Sequence, residues 1–110
     1  MTPTTQSSIQ TRNTLQRLGF SPRQIGYRLI PPAIHLYIQD NTQAFAKEIY
    51  PTLAKQFPRY SASCIERSIR YAISSAWIHG SPKEWQKLFP QTKKAPSNTV
   101  FISVMAEYQE

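Results

Sequence analysis

The sequence predicts an all-α fold, on three observations. Apolar residues recur at spacings of three and four over most of the chain, the period of a single buried helical stripe. Serine, glycine and proline stand at the borders of those stretches, where helices start and stop. The one strand-favouring run, Val100 to Val104, has no evident partner strand elsewhere. A chain of 110 residues, 40% hydrophobic, is the size of one domain with a modest core, expected over residues 9–110 behind a flexible polar tail at 1–8.

The elements follow in order. Met1 to Ser8 is Thr, Ser, Gln and Pro with one apolar residue, a composition that buries nothing. Ile9, Leu15 and Leu18 give a weak helical pattern ending at Gly19, placed for a left-handed stop. Ser21-Pro22 suits a helix start, with serine as cap and proline in the first turn. Pro31-Pro32 then predicts an interruption, since two missing amides do not fit a helix interior, and a third helix from there carries Ile34, Tyr37 and Ile38. Asn41-Thr42 marks a turn. Phe45, Ile49, Leu53 and Phe57 follow at spacings of four, divided at Tyr50-Pro51, so that a short helix runs from Pro51 to Phe57.

The best-defined helix spans Ser61 to His79, where Ala62, Ile65, Ile69, Ala72, Ile73, Ala76 and Trp77 form one stripe. Ser61 or Ser63 supplies its cap, Ser63-x-x-Glu66 matching a capping box, and Gly80 with Pro82 ends it. A short helix from Pro82 to Phe89 carries Trp85, Leu88 and Phe89. After a Lys- and Pro-containing loop, Gln91 to Asn98, the spacing of Phe101, Val104, Met105 and Tyr108 behind Ser97-Asn98 predicts a last helix over Val100 to Tyr108.

Charge narrows the function. Lys and Arg number 13 against 6 Asp and Glu, a formal net charge of +7. From Lys47 to Lys94 the bases are Lys47, Lys55, Arg59, Arg67, Arg70, Lys83, Lys87, Lys93 and Lys94, nine against the three acids Glu48, Glu66 and Glu84. Such an excess fits a polyanionic partner or a solubilising surface, and charge alone leaves both open. No stretch approaches the roughly 18 to 20 apolar residues of a membrane span, and the N-terminus has no apolar signal core, so the expected location is the cytoplasm, away from membranes. The single cysteine, Cys64, excludes an internal disulfide and fits a reducing compartment.

Opposite the apolar stripe of the Ser61 to His79 helix lie Ser63, Arg67, Arg70 and Ser74, with Tyr71 and Cys64 beside them and Glu66 on the flank. Arginine forks onto guanine O6 and N7, glutamate accepts from cytosine N4, and hydroxyls reach phosphates or base edges. A short helix with Ala54 at a close crossing, a turn, then a long helix with a basic outer face is a helix-turn-helix pattern. Its turn is irregular, with Pro58 near the usual glycine and about one extra residue between Ala54 and Ile65.

Plainer readings stand beside these. Glu66 and Arg70, four apart, also make an ordinary surface ion pair. Trp77 and Trp85 fall on apolar stripes and read as core. Cys64 has no histidine or acid placed to activate it, and reads as an inert small residue. His35 and His79 lack metal-ligand spacing, no glycine-rich phosphate loop exists and no catalytic set is suggested, so no metal, no cofactor and no enzymatic activity are expected.

The chain resembles a known family in Gly26-Tyr27, Ile49-Tyr50-Pro51, Ala54-Lys55-Gln56-Phe57, SASCIERSIRYAISSAW (Ser61 to Trp77), Leu88-Phe89 and APSNTVFISVMAE (Ala95 to Glu107). These are similar to the C-terminal DNA-binding effector domain of the stage 0 sporulation protein A response regulators, over about Leu15 to Tyr108. The resemblance implies a compact bundle of about six helices containing a helix-turn-helix, with Ser61 to His79 as recognition helix. It implies base reading by Glu66 and Arg67 and a DNA-surface position for Arg70 and Tyr71. Lys55, Arg59, Ser61, Ser63 and Ser74 complete the expected backbone-contacting or flanking set. Cys64 stands where the family has arginine, and Tyr71 where it has histidine.

The expected function is that of a sequence-specific regulator of transcription acting on double-stranded DNA. Further partners expected with it are a second copy on tandem sites and an RNA polymerase sigma subunit. Family members join a phosphorylated receiver to this domain; the short polar start of this chain has no phosphoacceptor pocket, so the expectation is either an excised domain or a short natural paralogue controlled by some other route. The alternative is a protein-interaction module that docks on the transcription machinery or on a full-length regulator without binding DNA itself.

Overall fold

The computed structural model describes residues 3–108, with side chains from residue 9 onward. The helices are α1 (Pro3–Leu18), α2 (Ile25–Gln39), α3 (Tyr50–Gln56), α4 (Ala62–His79), α5 (Pro82–Leu88) and α6 (Asn98–Tyr108), with a π-helical turn at Phe45–Ile49 leading into α3. No strand occurs among the described residues, and the Val100 to Val104 run lies inside α6. The molecule is an all-α bundle of six helices measuring 35 × 31 × 26 Å.

α2 and α4 form the centre. Leu29, Ile30, Ala33 and Ile34 of α2 meet Ile65, Ile69, Ala72, Ile73 and Ala76 of α4 in one core, to which α6 adds Phe101, Ile102 and Met105. The stripe read in the Ser61 to His79 segment is therefore the buried face of α4. Trp85 sits in an aromatic cluster with Phe20, Phe89, Phe101 and the edge of Trp77. Its indole N–H donates to the carbonyls of Leu18 and Ala76 at 2.9 and 3.2 Å, tying the ends of α1 and α4 together.

α1 stops as expected. Gly19 has φ +106°, Phe20 N–H bonds the Leu15 carbonyl and Gly19 N–H that of Gln16, the paired bonds of a Schellman ending. Gly80 serves a different purpose, since its φ is ordinary but a Cβ there would stand 1.9 Å from the Leu18 carbonyl oxygen. The glycine lets the ends of α1 and α4 touch.

Three expectations are corrected. α1 has helical backbone from Pro3, so the helix begins six residues before Ile9. Ser21-Pro22 does not start α2: Ser21 Oγ accepts from Arg23 N–H in a local turn, and the helix begins at Ile25. Pro31 and Pro32 do not end it either, because α2 runs through both. Each interior proline costs about 3 kcal/mol or more. The burial of Leu29, Ile30, Ala33 and Ile34 around them offsets it, at about 1.5 to 3 kcal/mol for each large side chain.

Asn41-Thr42 does turn the chain. The Asp40 carboxylate accepts from Thr42 N–H and Oγ1 at 3.0 and 2.6 Å, and these bonds hold it below the ordinary aspartate value. Pro51 divides the next stretch, as expected from its missing amide. Ahead of it the chain widens into π register, with Ile49 N–H reaching the Ala44 carbonyl. Glu48 returns to cap Ala44 N–H at 2.8 Å.

Candidate nucleic-acid interface

α3, the turn from Phe57 to Ser61 and α4 make the two-helix unit that the sequence predicted. Leu53 of α3 and Ile65 and Ile69 of α4 are fully buried, fixing how the helices cross. Phe57 N–H closes on the Leu53 carbonyl and Tyr60 N–H on that of Phe57, so the longer turn around Pro58 is internally bonded. Ser61 is the cap: its Oγ accepts from Cys64 N–H at 3.1 Å. Ser63 lies inside the first turn, and no Ser63 to Glu66 capping box forms, because the Glu66 carboxylate turns to Arg70 instead.

With one side of α4 buried, the other is left to solvent. Ser63, Arg67, Arg70 and Tyr71 are exposed, whereas Glu66 and Ser74 are half-buried on its margins. Lys55 closes the last turn of α3 and Arg59 stands in the turn, both exposed, and Ser61 lies beside them. Ser63, Arg67, Arg70 and Ser74 therefore share the side of α4 away from the core, with Ser74 at its far end. Among the described residues, ion pairs involve Arg17, Arg70 and Lys87, so Lys55, Arg59 and Arg67 have no acidic partner. Arg67 Nε reaches only the Ser63 carbonyl, at 3.4 Å.

Glu66 and Arg70 form the ion pair that their spacing allows, at 3.7 Å between Arg70 Nη1 and Glu66 Oε2. Both side chains are about half exposed, so the pair is loosely held and either partner is available to turn outward. Cys64 lies against Ser68, Sγ to Oγ 3.9 Å.

One residue that supports this face was not legible in the sequence. Asn98, the first residue of α6, is buried and donates through Nδ2 to the Glu66 carbonyl at 2.9 Å and to the Tyr50 hydroxyl at 3.1 Å. It joins α6, α3 and the first turns of α4 at the level of Glu66. Ser97 performs the capping expected of Ser97-Asn98, accepting from Val100 N–H. Burial pushes the Tyr50 phenol above its ordinary value; the Asn98 hydrogen bond pulls it back, nearby Glu66 raises it and Arg70 lowers it. The partners of Asn98 stand 32 and 48 residues away, so no local pattern signals the role.

No helix among the described residues is long and apolar enough to cross a membrane. Comparison with known families agrees with the geometry: the family model described as "Sporulation initiation factor Spo0A C terminal" matches residues 11–108, nearly the whole chain and all of α2 to α6. A six-helix bundle that buries one side of α4 and turns the other out as a basic face, matched over that length, belongs to the Spo0A C-terminal family of DNA-binding regulatory domains of sporulation.

Proposed function

We propose that this chain binds double-stranded DNA in a sequence-specific manner to regulate transcription, with α4 in the major groove. Glu66 and Arg67 read base edges; Lys55, Arg59, Ser61, Ser63, Arg70, Tyr71 and Ser74 contact or flank the phosphates. The observation that carries the reading is the basic outer face of α4, whose opposite side is fully buried. From Ser63 to Ser74 that face is about 16 Å long at 1.5 Å per residue, the scale of a helix end seated in a groove roughly 12 Å wide. Among the described residues Arg67 has no acid to neutralise it, which suits a bidentate contact with guanine. A second copy on an adjacent site and a sigma subunit of RNA polymerase are the further partners in this reading.

The test is a fluorescence-anisotropy titration against duplexes selected from random DNA and against unselected duplex, over a range of salt. Neutralising about three to five phosphates gives a slope of log K on log salt near −3 to −5. Micromolar protein that shifts neither duplex at low salt would instead favour a role in protein interaction.

A further inference from the structure

A groove of about 520 Å³ runs between the start of α2 and α4, and Arg23, Gly26, Cys64, Arg67, Ser68 and Tyr71 line it. Its geometry begins at Gly26. A Cβ there would stand 2.4 Å from the Ser68 carbonyl oxygen and 2.6 Å from Ala72 Cβ, so only glycine lets the first turn of α2 lie directly on α4. That approach brings the preceding turn to the side of the exposed face of α4. The turn is bonded, Ser21 accepting from Arg23 N–H through Oγ and from Gln24 N–H through its carbonyl, which holds the backbone at Arg23 while leaving its side chain exposed.

Two arginines thus line one groove, Arg23 from the turn before α2 and Arg67 from α4. No carboxylate lines it, and neither arginine has an ion pair among the described residues. Cys64, too small to fill the space between them, leaves the groove open. Tyr71, 68% exposed, adds a hydroxyl at the same site. Like charges gathered without a counterion are disfavoured unless an anion joins them, and the anion adjoining an α4 seated in a major groove is the strand that borders it.

We infer that Arg23, outside the helix-turn-helix, is a further DNA-binding residue, which places its guanidinium on a backbone phosphate next to the bases that Arg67 faces. The inference rests on the proposed docking of α4. It extends the interface to a third element, the turn before α2, and makes the Cys64 position a gap spanned by cations from both sides.

Arg23→Ala tests it, with Lys83→Ala on α5 as a control that removes the same charge from an exposed position elsewhere. The inference expects Arg23→Ala to weaken selected and random duplexes alike, by about five- to tenfold, and to make the salt slope shallower by about 1, while Lys83→Ala stays within about twofold of the parent. The Arg23→Ala loss should also disappear on a duplex carrying a neutral methylphosphonate at the contacted position. If Arg23→Ala behaves like Lys83→Ala while Arg67→Ala still weakens the selected duplex, Arg23 is a bystander and the docking of α4 stands. If the parent protein binds neither duplex, the inference falls together with that docking.

Discussion

Replacing Glu66 by alanine should hardly change stability but should weaken binding to specific DNA while leaving random DNA bound equally well or slightly tighter. In the fold, the Glu66 side chain pairs with Arg70 at 3.7 Å, the two being 47% and 59% exposed. Two unit charges at that distance attract by about 1 kcal/mol in water. Exposure, side-chain entropy and salt reduce an i,i+4 pair to about 0.3 to 0.5 kcal/mol. At about 2.1 cal/mol/K per residue, a domain of this size loses only ~2 °C in Tm for that amount. The part of Glu66 that α6 holds is its backbone carbonyl, bonded to Asn98, and alanine keeps it.

On DNA, loss of a carboxylate that accepts from cytosine N4 is worth about 1 to 3 kcal/mol, roughly 5- to 150-fold at that base pair. Random duplex should bind equally well or slightly tighter, since an acid has left a basic face and Arg70 is released to phosphate. The assay is thermal unfolding followed by anisotropy titration of both duplexes at fixed salt. Equal weakening on both duplexes would refute base reading by Glu66, and a Tm fall beyond ~8 °C would show that the carboxylate holds the fold.

Two further outcomes concern the frame around α4. Asn98→Ala should cost about 1 to 3 kcal/mol in urea unfolding, because the Glu66 carbonyl and Tyr50 hydroxyl lose a buried donor, and it should weaken selected duplex by more than random duplex. Trp85→Phe should cost a similar ~1 to 3 kcal/mol, chiefly through the Leu18 carbonyl, since that of Ala76 keeps its bond from Gly80 N–H; DNA affinity measured well below the transition should stay as in the parent.

What could be read from the sequence divides by range. α4 was legible because seven apolar residues keep one helical stripe and Ser61 and Gly80 bracket it, and α5 and α6 announced themselves through Pro82 and Ser97. The exposed basic face followed from the same periodicity, as did the division at Pro51. α2 was misread where the local penalty of Pro31-Pro32 yields to burial against α4 and α6, a tertiary effect absent from any short window. Ser63 and Glu66 fit a capping box by spacing, yet Ser61 caps two residues earlier and Glu66 finds Arg70. The bridging role of Asn98 is hidden for the same reason: its partners lie 32 and 48 residues away in the chain.

The most direct measurement compares Arg67→Ala with the parent protein on selected and random duplexes under one salt condition. Arg67 is exposed, has no acidic partner among the described residues and contributes no core packing, so its loss leaves the fold intact. Base reading by α4 predicts a loss of about 1 to 3 kcal/mol on the selected duplex, confined to one base position, and a much smaller loss on random DNA. Equal losses on both duplexes would contradict it, reducing Arg67 to one more phosphate-steering cation.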